Sequence, residues 1–585
     1  MTHGAFEVLD YVVIAAYLLG ITAIGIRAGF HRHASSEQYF LASKSLGWFT
    51  VGAAVFASNI STIHLVGLAA SGADEGLVIG NFEWMACYTL ILLALVFVPH
   101  YLRTRITTLP EFLEKRFGPT ARTILAFISI LAALLIHIGI SMFTAAKLFE
   151  SFLGIPMLYS ILAISILTVT YTALGGLKAV VVTETIQLFL LLGSAILVTS
   201  LAVAHLPALG IHDVAAFKAA MKPQQLNMVQ SIVDPASGHF RKLSWLGIAL
   251  GFPILGIWYW CTDQTHVQRV LGARSEQHGQ NGALFAGFLK LLPVFLMVFP
   301  GTVGYLMVKH GEISIVNFEG RADYNLLLAA MIRRLVPTGL KGLVAAGMVA
   351  ALMSCMAAAL NSCATLISVD IVKRLRPRMV DTRVVNIGRA TTAIIMLLAM
   401  AWSTQGGQFG TIFEAINKIP MTFAPAVTTI FIFGLLWKRG DIRAALATFG
   451  IGCTLGITYF LIDLPGIGQS LLARFAPERF ATLTAWLQTH PGESFQGLVT
   501  DPVFGLGIPF MLFGAVLWGV CIAAYVTTAL LSPPPPREKV DGVCWDHPLA
   551  FLGGRFTGWG DPRFVSAVLF AVVTALYILD RLYCS

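Results

Sequence analysis

The chain has 585 residues, of which 57% are hydrophobic and 12% charged, against about 25% charged in soluble domains. With a mean hydropathy of +0.78, this excludes a soluble globular protein, and apolar runs long enough to cross a hydrocarbon core of about 30 Å recur along the sequence. The formal net charge of +9 does not point to a nucleic-acid partner, because the basic residues gather in alternate loops between the runs, as membrane topology dictates.

Fourteen runs are expected to span as helices: 8–28, 46–71, 80–102, 123–150, 155–175, 178–205, 243–268, 281–309, 338–371, 388–404, 411–436, 442–463, 506–530 and 564–582. The first, VLDYVVIAAYLLGITAIGI, has neither a basic leader nor a small-residue cleavage site and reads as a retained helix. Loops of one parity hold Arg27 and Arg32, then Arg103, Arg105, Lys115 and Arg116, then Arg269 and Arg274. The later ones hold Lys373, Arg374, Arg376 and Arg378, then Lys438, Arg439 and Arg443, then Arg537 and Lys539. The positive-inside rule makes these loops cytoplasmic and places both termini outside. The outer loops 206–242 and 464–505 contain no Asn-x-Ser/Thr sequon, which fits a bacterial source and hence an inner membrane. SPPPPREK opens a stiff cytoplasmic linker over 532–563. No appended soluble module is expected, which favours transport over signalling. Most cysteines (Cys87, Cys261, Cys355, Cys363, Cys453, Cys521) lie within apolar runs without zinc or redox spacing and read as buried thiols.

Polar groups at membrane depth are costly unless paired or wetted, so each marks a candidate site. Asn59 and His64 stand in the second run, Glu83 in the third, Glu184 in the sixth, Asp263 in the seventh and Lys290 in the eighth. Glu83 and Lys290 lie in different runs, and two readings stay open: a structural ion pair, or a shared aqueous pocket supplying donors and acceptors together. Asp10 and Asp370, near run ends, read as capping or snorkelling groups. Small residues around FASNISTIHLVGLAASG permit local unwinding that frees carbonyls for a cation or substrate. The Ala- and Ser-rich ninth run, AAGMVAALMSCMAAALNSCATLISVD, is either a tight helix contact or a partner for that unwound segment. WYWCTDQ is either part of an interfacial aromatic belt or a platform whose aromatic faces suit the C–H faces of a sugar ring, while Tyr259 and Gln264 offer hydrogen bonds.

These strings resemble the sodium:solute symporter family, in its sodium/glucose cotransporter branch, over nearly the whole chain. The resemblance is carried by FASNI followed by His64, GNFEW, YTALGGLKAVVVTETIQ, WYWCTDQTHVQR, LKLLPVFLMVFPG, LNSCATLISVDI and IFGLLWKR in order. It implies an all-α polytopic membrane protein with a LeuT-type inverted five-helix repeat. The expected partition is a first peripheral helix and cytoplasmic loop over 1–45, repeats over 46–205 and 243–437 separated by the outer loop 206–242, and peripheral helices over 438–585. The resemblance places sugar contacts at Asn59, His64, Glu83, Tyr259, Trp260, Lys290 and Asn417, with Tyr259 as inner gate and Leu68, Phe82 and Phe413 as outer gate. It places a sodium site at the carbonyls of Ala57, Ile60 and Ala351 and the hydroxyl of Ser354, with Cys355 where a second serine is usual.

A thiol suits a hard cation less well than a hydroxyl does, so weaker sodium affinity or another coupling ion is expected. Glu184 replaces the usual aspartate as a candidate coupling carboxylate, and Asn417, followed by Lys418, replaces a glutamine. The function expected is a symporter importing a hexose or related sugar on the sodium gradient by alternating access in a lipid bilayer, with no cofactor besides the coupling ion. The alternatives are a proton-coupled or non-sugar (polyol, organic solute) member and a non-transporting solute sensor. An enzyme is disfavoured because no nucleophile–base pair or H-E-x-x-H spacing appears.

Overall fold

In hydrocarbon each backbone N–H and C=O must be bonded within its own segment, so apolar runs become helices and interruptions need a local reason. The computed structural model describes residues 6–29, 35–316, 323–404, 418–490, 495–553 and 556–584. In chain order the principal helices are α1 (Val8–Gly29), α2 (Trp48–Asn59), α3 (Thr62–Asp74), α4 (Asn81–Leu92), α5 (Pro119–Ala132), α6 (Ser141–Leu153), α7 (Met157–His205), α8 (Trp245–Gly256), α9 (Gln264–Leu271) and α10 (Glu276–Leu289). They continue with α11 (Phe299–Lys309), α12 (Leu340–Thr365), α13 (Asp381–Ser403), α14 (Ala424–Leu436), α15 (Ile442–Ile462), α16 (Pro465–Phe475), α17 (Pro477–Thr489), α18 (Phe510–Leu531) and α19 (Pro562–Cys584). The π-helical stretches Ala133–Ile140, Ile257–Thr262, Val294–Val298 and Leu366–Lys373 extend or join several of these.

Two units are distinguished. The first comprises Met1–Met228, Asp263–Gly406 and Leu549–Ser585; the second comprises Val229–Thr262 and Gly407–Pro548. In the first, α7 and α12 form the centre, with α1 against both. α12 is buried along nearly its whole length, as expected of a helix apolar all round. Gly29 of α1 meets Gly175 of α7 so closely that a Cβ on Gly29 would lie 2.3 Å from the Gly175 Cα. In the second, α18 packs against α8, α14 and α15, and Leu472, Leu483 and Phe495 form a small core beneath α16 and α17.

Among the described residues eleven helices are long and apolar enough to cross a membrane, or twelve if the bent pair α2 and α3 is one span. The difference from the expected fourteen has identifiable origins. The runs 155–175 and 178–205 form one helix, α7, interrupted at Gly176, whose φ of 59° and ψ of −154° belong to a region open essentially to glycine alone. The run 411–436 is represented by the shorter α14. Asp10 caps: its Oδ1 accepts from the backbone N–H groups of Gly339 and Gly342 at 2.8 Å each, at the start of α12. Asp370 does not snorkel. It is buried, with Oδ1 accepting from Thr108 Oγ1 at 2.8 Å and Arg122 Nε at 2.7 Å. The seven cysteines described are free and mostly buried.

Gly176→Ala forces an alanine into glycine-only backbone and drives its Cβ to 2.4 Å from the Tyr39 carbonyl oxygen. The expected outcome is a loss of about 1–3 kcal/mol or more, seen as a lower unfolding midpoint of the detergent-purified chain. Gly193→Ala, which meets nothing within 4 Å, leaves the midpoint close to wild type.

Candidate substrate and ion site

The break between α2 and α3 frees particular backbone groups. In a continuous helix the Ala57 carbonyl would accept from the Ser61 N–H, one turn on. Ile60 is instead extended (φ −76°, ψ 105°), the two helix segments bend by 60°, and the Ser61 N–H donates to His64 Nδ1 at 3.3 Å. His64 thereby closes the new N-terminus as half of a capping box. The released Ala57 carbonyl accepts from the Ser354 hydroxyl of α12 at 2.8 Å, and that hydroxyl also lies 2.9 Å from the Ala351 carbonyl. One proton shared between two carbonyls is a weak hold. Thr62 Oγ1 donates to the Met348 carbonyl at 3.2 Å, making a second link from this break to α12.

A second interruption follows α10. Pro293 has no N–H and its ring crowds the carbonyl four residues back, so the helix gives way to a turn at Lys290 and Leu291. Lys290 is all but fully buried, and its ammonium pairs with the Glu83 carboxylate from the first turn of α4 and donates to Asn59 Oδ1 at 2.7 Å. Trp84 Nε1 reaches the Leu291 carbonyl at 3.4 Å. The cluster thus unites one ammonium, one carboxylate and one amide from three separate helices. An ion pair so buried recovers its desolvation cost only with good geometry and further hydrogen bonds, and Asn59 supplies one.

Glu184 is bound elsewhere in the first unit. It is fully buried on α7 and grips the Arg269 guanidinium in a fork, at 2.7 Å to Nη2 and 3.3 Å to Nε. Arg269 also donates to the Thr265 carbonyl. Cys355 directs its thiol to the His137 carbonyl at 3.4 Å. Gln264, read above as a hydrogen-bonding group for a sugar, is committed to structure, accepting from the Leu109 N–H at 2.9 Å. Leu68 is buried on α3 and Phe82 half-buried on α4.

The structure thus brings Asn59, Glu83 and Lys290 together, and separately Ala57, Ala351 and Ser354. Tyr259 and Trp260 stand in the second unit, on the π-helical stretch Ile257–Thr262, with ring centroids 5.1 Å apart at 76°. Phe413 and Asn417 lie outside the described residues. The adjoining Lys418 pairs with Asp463 at 3.1 Å, and Asp463 also accepts from the Val499 and Thr500 N–H groups.

Sequence reasoning missed His137 and His266. His137 Nε2 lies 2.6 Å from Asp263 Oδ2, and His266 Nδ1 lies 3.2 Å from Ser58 Oγ. The available signal for His137 was a lone ionisable group within ALLIHIGI.

The family model described as the sodium:solute symporter family matches residues 39–452. A sodium/glucose cotransporter 2 from Rattus norvegicus is 34% identical over 483 residues, covering 77% of this chain and 71% of its own. A sodium/glucose cotransporter from Vibrio parahaemolyticus is 32% identical over 475 residues, covering 79% and 86%. Among solved structures, a Na+-coupled sialic acid symporter in a substrate-bound outward-open state superposes with a TM-score of 0.68 at 19% identity, covering 90% of this chain and 99% of its own. That likeness establishes a shared fold.

Lys290→Met leaves Glu83 as an uncompensated buried charge and is expected to cost about 3–5 kcal/mol. The double variant Glu83→Gln/Lys290→Met recovers most of that loss. A thermal-melt cycle of the two singles and the double checks this; additive losses would show that the pair does not interact.

Proposed function

Since the chain belongs to the sodium:solute symporter family, we propose that it is a secondary active symporter importing a hexose or related polyol on the sodium gradient. It is a multi-pass protein of the cell membrane. The observation that carries the reading is the buried cluster of Lys290, Glu83 and Asn59 at two helix interruptions. A sugar hydroxyl both donates and accepts, so it can replace the cluster's internal bonds one for one: an ammonium donates to it, a carboxylate accepts from it, and an amide does either. His64, in the first turn of α3, accepts from the Ser61 N–H and holds the break in place. The resemblance to the family assigns Tyr259, Trp260 and Asn417 to sugar contact, and Leu68, Phe82 and Phe413 to gating.

Sodium is held by the carbonyls of Ala57, Ile60 and Ala351 and the Ser354 oxygen. The Ala57 and Ala351 carbonyls both already lie within hydrogen-bond reach of the Ser354 hydroxyl. On binding, the Ser354 proton turns away and its oxygen joins the carbonyls around the ion, exchanging one weakly held proton for a cation. Ion binding thereby fixes the break between α2 and α3 against α12. Glu184, gripped by Arg269, acts as a structural partner of α9 rather than as an ion ligand.

We further propose fourteen spans with both termini outside. Supporting this, Gly176 divides α7 into two segments, each of spanning length. The first proposed repeat, 46–205, also begins with an interrupted helix, α2 with α3. The second reading, a member coupled to protons or to a non-sugar solute, is prompted by Cys355, whose thiol is turned to the His137 carbonyl.

Uptake of labelled glucose, galactose and myo-inositol into proteoliposomes tests the proposal. An inward sodium gradient is expected to stimulate at least one of them, and a proton gradient is not. Ser354→Ala is expected to raise the half-saturating sodium concentration about fivefold, one ligand being worth about 1 kcal/mol, and Cys355→Ser to lower it. No sodium stimulation with any of the three sinks the coupling assignment.

A further inference from the structure

One residue beyond the Ala57 carbonyl, a cluster that the proposed transport cycle does not use is gathered around Ser58. His137 comes from the π-helical stretch Ala133–Ile140, Asp263 from the N-cap of α9, and His266 from its first turn. All three are buried, at 4%, 4% and 0% exposure. Each offers one ligand atom, and the three atoms lie within 4.8 Å of one another. The tautomer of His266 follows from its neighbour. Ser58 Oγ donates its single proton to the Val55 carbonyl at 3.0 Å, so the contact at 3.2 Å is a donation from His266 Nδ1–H to Ser58. A neutral imidazole protonated at Nδ1 carries its lone pair on Nε2. A ring N–H fixed by an outer partner is how metal-ligating histidines are oriented. Asp263 is held in the same way: its Oδ1 accepts from the Thr265 N–H at 2.8 Å, while Oδ2 faces His137.

We propose that His137, Asp263 and His266 form a binding site for a divalent ion of the zinc type, distinct from the site of the coupling ion. Two imidazoles and one carboxylate are the donor set of borderline d-block cations, whereas sodium and magnesium prefer oxygen alone. Three protein ligands with one position left for water is a common zinc arrangement. The ligand atoms of a tetrahedral ion with bonds of about 2.0–2.1 Å stand about 3.3 Å apart. The 2.6 Å between His137 and Asp263 therefore has to open by less than one ångström. The bound ion ties the start of α9 to the stretch Ala133–Ile140, next to a residue that contacts α2, and so opposes movement at these interruptions.

The test uses the purified full-length chain in detergent, titrated with Co2+ and then Zn2+ after long incubation, because the ligands are buried. The expected result is one Co2+ per chain with the intense d–d absorption of a tetrahedral nitrogen and oxygen site, displaced by one Zn2+. His137→Gln and His266→Gln each weaken Zn2+ binding at least tenfold, while His490→Gln, on an exposed helix end, leaves it unchanged. A wild-type chain without saturable tetrahedral Co2+ absorption overturns the proposal, as does full absorption in a folded His137→Gln or His266→Gln protein. Where a variant does not fold, the wild-type spectrum and stoichiometry decide by themselves.

Discussion

A lysine ammonium inside a membrane protein cannot stand alone, and much of the first unit is arranged around that constraint. Lys290 is buried beside Glu83 and Asn59, and each of the three reaches it from a helix that is interrupted or begins there. Pro293 ends the regular helix so that Lys290 falls on a turn; α2 stops at Asn59; and α4 starts two residues before Glu83. Removing water from an ion costs several kcal/mol even after relaxation. The fold accepts that cost twice at one point, for Lys290 and Glu83, and adds a buried amide, Asn59, an arrangement that the proposed hydroxyl-rich ligand would account for.

Interrupting a helix in a low-dielectric interior has its own cost, and in each case a neighbouring side chain offsets it. His64 takes the Ser61 N–H, Ser354 takes the Ala57 carbonyl, and Asp263 takes the Thr265 N–H. Of these the bond from the Ser61 N–H to His64, at 3.3 Å, is long, and the Ser354 proton also lies 2.9 Å from the Ala351 carbonyl. A carbonyl held by one shared hydroxyl proton is easily given up to a cation, while a carboxylate fork such as Glu184 with Arg269 is not. The difference separates groups ready to exchange partners from groups that hold the scaffold.

The sequence was most legible where a polar or ionisable residue interrupts an apolar run, since hydrocarbon leaves few innocent explanations for it. Asn59, Glu83 and Lys290 were found in this way, with the all-helical class and most helix positions. What was illegible depended on a partner far along the chain. Glu184 reads as a candidate coupling group, and the ion pair it makes with Arg269, 85 residues on, has no signal in the sequence. His137 acquires meaning only from Asp263, 126 residues away. Asp370, near the end of its run, pairs with Arg122 inside the protein. Gln264 carries the same chemistry whether it faces a sugar or the Leu109 N–H. The span count was blurred for a local reason: helical hydrogen bonding resumes so promptly after Gly176 that two segments form one element.

Three consecutive residues at the end of α2 have three different attachments. The Ala57 carbonyl meets Ser354 of α12, the Ser58 hydroxyl meets His266 of α9, and the Asn59 amide meets Lys290 after α10. Successive side chains on a helix point about 100° apart, so Ser58 and Asn59 address different neighbours, while the helix end leaves the Ala57 carbonyl for a third. A ligand that bonds better to one arrangement of this turn necessarily favours that arrangement for the other two attachments, because the residues share a backbone. In the proposed cycle, linkage between an ion at Ala57 and a solute at Asn59 then needs no relay of distant contacts. It needs a segment short enough to move as one piece, and the break at Ile60 provides the end of that piece.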